Sequence, residues 1–326
     1  MRRSGLQALL ALGAVAIASA GLAQEQMADP DFRPVVSSPA YGQDGPTVLL
    51  DEAHGSVQTA GGRYGPFVAL LRADGYVVES GTHRWDEPGA LDGVDVLVVS
   101  NAQRPAETPR GTSAFSEAEI TAVEAWVRNG GALLLAADHT PHGDASAALA
   151  QAFGVSMGRG YAFRYEDGRT VTFLTFSREA GTLGSHPILE GRDPTERIDV
   201  VRSFTGQSVS GPPGSDILLA MAPGDREAPD QATRIQVTER LEAGEDPAAV
   251  FEELSVPVDG RAQGLAFAHG RGRVVVLGEA GMLTAQIVRF PEDSGQADIV
   301  FGLQTDGHDD QEFALNVLRW LSGLLP

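Results

Sequence analysis

Cysteine is missing from all 326 residues, which excludes disulfides, thiolate metal sites and any cysteine nucleophile. A thiol-free chain is at home in an oxidising compartment. Lysine is missing too, so all 24 basic residues are arginine. Against 44 acids they leave a formal net charge of -20. A surface this acidic repels nucleic acid and anionic lipid, and both are discounted as partners; metal cations are not. No H-E-x-x-H, G-x-S-x-G or phosphate-loop motif occurs, and GRGR at 270–273 lacks the strand–loop–helix context of a phosphate site. Repeats and low-complexity tracts are absent as well. What is present, 42% apolar and 21% charged residues, is the composition of a globular protein.

The one long apolar run opens the chain. In MRRSGLQALLALGAVAIASAGLAQ, Arg2 and Arg3 precede an apolar stretch from Leu6 to Ile17, and small residues follow at Ala18, Ala20 and Ala23. This is the pattern of a secretory signal over residues 1–23, cleaved after Ala20 or Ala23. The alternative, an uncleaved anchor, calls for a longer span. The expectation is a periplasmic or secreted protein with no membrane insertion after cleavage. Residues 24–46, rich in Pro, Ser and Gly, read as a linker or lead-in arm.

From residue 47 short apolar runs alternate with amphipathic stretches. TVLLD (47–51), GYVVES (75–80), VDVLVVS (94–100) and ALLLAA (132–137) read as strands. Helices are expected around Tyr64 to Ala73 and over SEAEITAVEAWVRNGG, which opens with Ser116 and Glu119 at capping-box spacing. Such alternation predicts an α/β fold, a doubly wound, mainly parallel sheet. The second half adds β-hairpins, one over 161–176 turning at Glu-Asp-Gly and one over 265–279 turning at His269 to Gly272. IDVVRSF and DILLAM read as further strands, and Pro223 to Val258 as an acidic excursion with a short helix. An amphipathic helix closes the chain, and residues 47–326 read as a single domain.

Open parallel sheets bind ligands beyond the carboxyl ends of their strands. Four polar clusters fall at such places: Asp51 with His54; Asp138, His139, His142 and Asp144; Glu279; and His308, Asp309 and Asp310. Each has a structural alternative. Asp144 suits a helix N-cap, Asp309 with Glu312 matches a capping box, and Asp51 can hydrogen-bond loop backbone. His142 follows a proline and reads as exposed, while His83, His186 and His269 read as surface residues. Ser100 is a loop serine before it is a nucleophile. Glu279, after VVVL, must be paired, solvated or protonated.

Four stretches, LLDEAHG, AFSEAEITAVEAWVRNGGALLLAADHTPHGDA, GRVVVLGEAGMLTAQ and DDQEFALNVLRWLSGLL, together resemble a bacterial domain-of-unknown-function family. That family has the class I glutamine amidotransferase-like fold, with a flavodoxin-like sheet, and is related to trehalose-utilisation-like proteins. The resemblance spans about Thr47 to Pro326. In glutamine amidotransferases the helix–Gly-Gly–strand unit leads to the catalytic cysteine; here WVRNGGALLLAADH delivers Asp138 and His139, and glutaminase chemistry by that route is excluded.

Two functions fit. One is an exported hydrolase-type enzyme with His139, His54 and Glu279 as catalytic residues. It is either assisted by a divalent metal (zinc, manganese or calcium) on Asp51, His54, Asp138 and His139, or metal-free with His139 as base oriented by Asp51 or Glu279. The other is a non-catalytic module binding a small molecule, a carbohydrate or a partner protein. Either way, Asp51, Asp138 and Glu279 are expected at strand ends, and His54 and His139 in one pocket with at least one of them.

Overall fold

The structure, a computed structural model, describes residues 25–326 apart from Ala106; the expected signal sequence lies outside the described residues. Among the described residues no helix is long and apolar enough to cross a membrane.

Six strands form the body of the main sheet: β1 (Thr47–Asp51), β2 (Val77–Gly81), β3 (Val96–Ser100), β4 (Ala132–Ala136), β5 (Ala262–His269) and β6 (Gly272–Leu277). They lie in the order β2-β1-β3-β4-β6-β5. The neighbours from β2 to β6 are parallel, and β5 is antiparallel to β6. Every residue of β3 and β4 is buried, as expected for parallel strands covered on both sides. Their alternation divides the core in two. Leu50, Val98, Leu134 and Val275 face α1 (Gly65–Ala73) and α4 (Asp310–Leu321). Leu49, Leu97, Leu133 and Val274 face α2 (Glu117–Arg128) and α3 (His142–Ala152).

The fold is therefore α/β, but the sheet is mixed rather than mainly parallel. The cause is local. Only Gly270 and Arg271 separate β5 from β6, with Gly270 at φ 62°, and strands joined so tightly must run antiparallel. Strands 209–210 and 216–220 then pair antiparallel to β5, and 156–157 to 209–210. The other expected hairpin is shorter than the sequence suggested. Strand 161–166 pairs with 169–171, whereas 175–177 leaves to pair with 200–202. The 223–258 excursion holds two helices, Gln231–Glu242 and Pro247–Leu254.

The lead-in arm is built into the body. Glu25–Ala28 pairs with 285–289, which pairs in turn with 299–302. Tyr41 meets Tyr76 edge-on at 5.0 Å, and its hydroxyl lies 2.9 Å from Ser322 Oγ. Gly75 permits this packing: its φ is 94°, and any Cβ there would collide with the carbonyl of Gly42.

Candidate functional site

At the carboxyl ends of β1, β3, β4 and β6 the chain leaves the sheet through polar residues, as expected. Asp51 ends β1, and His54 sits in the next turn. Asp51 Oδ1 lies 2.8 Å from His54 Nδ1, and Glu119 Oε1 lies 2.9 Å from Nε2. Asp51, His54 and Glu119 are all buried. The His54 ring packs against Trp85 at 4.4 Å and Phe115 at 4.8 Å, and those two rings stack on each other. Burial opposes the charged imidazole, yet the hydrogen bonds and charges of Asp51 and Glu119 outweigh it and raise the His54 pKa. Asp51 is raised by burial. Glu119 is lowered, because its bonds to Ser116 and His54 overcome burial.

Glu119 is thus shared. Its Oε2 accepts from the Ser116 amide at 2.9 Å, completing the expected capping box, while Oε1 holds the imidazole. With both nitrogens engaged, His54 has no lone pair to offer a substrate.

Asp138 and Glu279 form a second cluster. Asp138 Oδ1 accepts from the Ala280 amide at 2.7 Å and Oδ2 from Asn101 Nδ2 at 2.7 Å. Glu279 Oε1 and Oε2 accept from the amides of Gly281 and Met282 at 2.6 and 2.7 Å. Three successive backbone donors are thereby tied to two carboxylates. Glu279 is buried, and that burial, with the charge of Asp138, pushes its pKa well above the usual carboxylate value. Asn101, at a left-handed φ of 45°, is the hinge of this cluster. Its Oδ1 accepts from the Asp138 amide, and its carbonyl lies 3.1 Å from His142 Nδ1. Beneath it Ser100 Oγ donates to Tyr64 Oη at 2.7 Å.

His139 points elsewhere. Its ring stacks on Tyr161 at 3.7 Å and 14°. Its Nδ1 lies 2.9 Å from the Thr140 carbonyl, which can only accept, so Nδ1 carries the proton and Nε2 the lone pair. Burial lowers the His139 pKa, and burial together with the charge of Asp138 pushes the Tyr161 phenol up to about 12. Arginine charges reach the two neighbours of His139. The charge of Arg63 reaches Asp138 and that of Arg234 reaches Tyr161, and burial lowers both pKa values. Neither guanidinium has a carboxylate partner among the described residues.

The proposed metal set does not fit an ion. Asp51 and His54 face each other, Asp138 faces amide donors, and His139 faces Tyr161. Among the described residues no three His, Asp or Glu side chains are grouped to hold a metal. Three further expectations are corrected. Asp144 is not the N-cap of α3, which starts at His142; it accepts instead from Thr140 Oγ1. Asp309 precedes α4 but makes no cap bond, because its Oδ2 accepts from the amides of Asp199 and Val200. His186 is buried, capping the turn 187–190 and packing edge-on against Trp320.

No family model and no curated protein matches the chain. Solved structures do. The mmIFT52 N-terminal domain is 12% identical with a TM-score of 0.55, covering 85% of this chain and 97% of that one. A ThuA-like protein from Bacteroides uniformis is 12% identical with a TM-score of 0.43, covering 89% and 94%. Another from Parabacteroides merdae is 10% identical with a TM-score of 0.42, covering 86% and 91%. The structural neighbours thus include ThuA-like proteins, the trehalose-utilisation-like relatives to which the sequence pointed. At these identities the likeness concerns the fold alone.

Proposed function

We propose that the chain is an exported, non-catalytic binding protein that takes a small polar ligand at the carboxyl rim of a flavodoxin-like, doubly wound sheet, residues 47–326 acting as one domain. Numbered along the chain, its parallel strands lie in the order 2-1-3-4-5, the flavodoxin order, with the switch point between β1 and β3. That crevice is bridged by the chain itself: the Gln103 amide donates to the His54 carbonyl and Ser56 Oγ to the Ser100 carbonyl. The ligand therefore seats beside it, over the end of β4.

One observation carries the reading. The polar atoms of His54, Asp138 and Glu279 are bonded within the protein, whereas His139 Nε2 has no partner among the described residues. Near its neighbours Asp138 and Tyr161, Arg63 and Arg234 are half-buried without a paired carboxylate among the described residues, which favours an acidic ligand. A carbohydrate bearing a carboxylate answers both features. The test is a thermal-shift screen of the mature chain against neutral and acidic monosaccharides. Glucuronate is expected to raise the melting temperature and glucose to leave it unchanged; no shift with any acidic sugar sinks the proposal.

The hydrolase reading retains one support, the neutral His139 ring with its lone pair on Nε2, the form of a general base. Product release from acidic glycosides, abolished in His139→Ala, would restore that reading.

A further inference from the structure

We propose that the cavity between the loop 202–204 and the strand 299–302 is a second ligand site, shaped for a small planar carboxylic acid. The cavity measures about 210 Å³, and none of Asp51, His54, Asp138, His139 or Glu279 lines it. An apolar cavity of about 150 Å³ is enough for benzene, so a single ring with a carboxylate fits and a long acyl chain does not.

Three aromatic rings form its apolar wall. Phe204 and Phe301 stack at 4.0 Å and 5°, and Phe173 meets Phe204 edge-on at 4.4 Å. Rings set this way present both a face and an edge to a flat guest. The neighbouring residues supply the polar end. The Arg202 guanidinium lies 5.4 Å from the Phe173 ring centre and has no acceptor among the described residues. Ser203 is 1% exposed, and its Oγ is buried without a hydrogen-bond partner. A buried hydroxyl left unpaired costs free energy unless something occupies the space beside it. A carboxylate held by Arg202 and Ser203 Oγ satisfies both groups at once.

The opposite wall fixes this arrangement. Thr305 Oγ1 lies 2.6 Å from His308 Nε2, and His308 Nδ1 lies 3.1 Å from Asp310 Oδ2. His308 Nδ1 also accepts from the Asp310 amide, and Asp310 Oδ1 accepts from the Arg202 amide at 2.9 Å, tying this wall to the loop that carries the guanidinium. Among the described residues that line the cavity Arg202 is the one arginine, and burial raises the Asp310 pKa, which weakens the repulsion its unbonded Oδ2 would offer an anion.

The probe is benzoate, titrated calorimetrically into the mature chain. One molecule per chain is expected to bind, with benzyl alcohol at least about tenfold weaker and acetate undetectable up to about 10 mM. Arg202→Gln is expected to weaken benzoate about tenfold or more. Ser203→Ala, which only removes the unpaired hydroxyl, is expected to weaken it while leaving the melting temperature of the unliganded chain unchanged or higher. His139→Ala is expected to bind benzoate as the wild type does, which separates this site from the rim. No saturable benzoate binding at about 10 mM, or benzoate affinity unchanged in Arg202→Gln, would overturn the proposal.

Discussion

Two histidines that look alike in the sequence, each within three residues of an aspartate at a strand end, are given opposite work by their neighbours. His54 is clamped between Asp51 and Glu119, and its pKa is raised; His139 is half-buried against Tyr161, and its pKa is lowered. The consequences for stability differ in sign. What His54 contributes through its raised pKa is complete below the ordinary value of about 6.5 and fades as pH rises through its folded value. His139 favours the folded state as a neutral ring, and its contribution fades as pH falls from about 6.5 through its lowered value. We therefore expect imidazole NMR signals of the two residues to titrate on opposite sides of that value, His54 above and His139 below. Titration of His139 above it would show that the ring is not neutral by burial.

Elements are held together by a different device. Arg319 of α4 is buried, with Nε and Nη2 donating to Asp74 at 3.0 and 2.8 Å and Nη1 to Glu312. Asp74, at the end of α1, also accepts from the Ala40 amide, so one ion pair joins two helices and the lead-in arm. Arg319→Met leaves the Asp74 carboxylate buried and unpaired, and is expected to cost about 3–5 kcal/mol in chemical denaturation. Adding Asp74→Leu should recover part of that loss; a single variant as stable as wild type would contradict this account of the pair. Long-range pairs of this kind also limited what the sequence disclosed. Ser116 and Glu119 were legible as a capping box because the signal is three residues wide, but Glu119 holding His54, 65 positions away, was not. Asp309 shows the reverse, where a local capping signal lost to the distant amides of Asp199 and Val200.

Across the whole molecule, the parallel half of the sheet was readable because β3 and β4 are apolar runs, but for Ser100 at the end of β3, buried on both faces. The antiparallel half was not, since strands such as 156–157 and 209–210 are two residues long and carry no periodicity. Asp51, Asp138 and Glu279 do lie at strand ends, as their apolar lead-ins indicated, but which atoms meet there is not encoded by spacing. The central claim is that His54 and its carboxylates hold the rim while His139 holds the ligand. Calorimetric melting of wild type, His54→Ala and His139→Ala, each with and without glucuronate, tests it most directly. His54→Ala strands two buried carboxylates and should melt several degrees lower, yet still be shifted upward by the ligand. His139→Ala should melt close to wild type and show no shift. The opposite pattern, a destabilised His139→Ala that still responds and a stable His54→Ala that does not, would contradict the account.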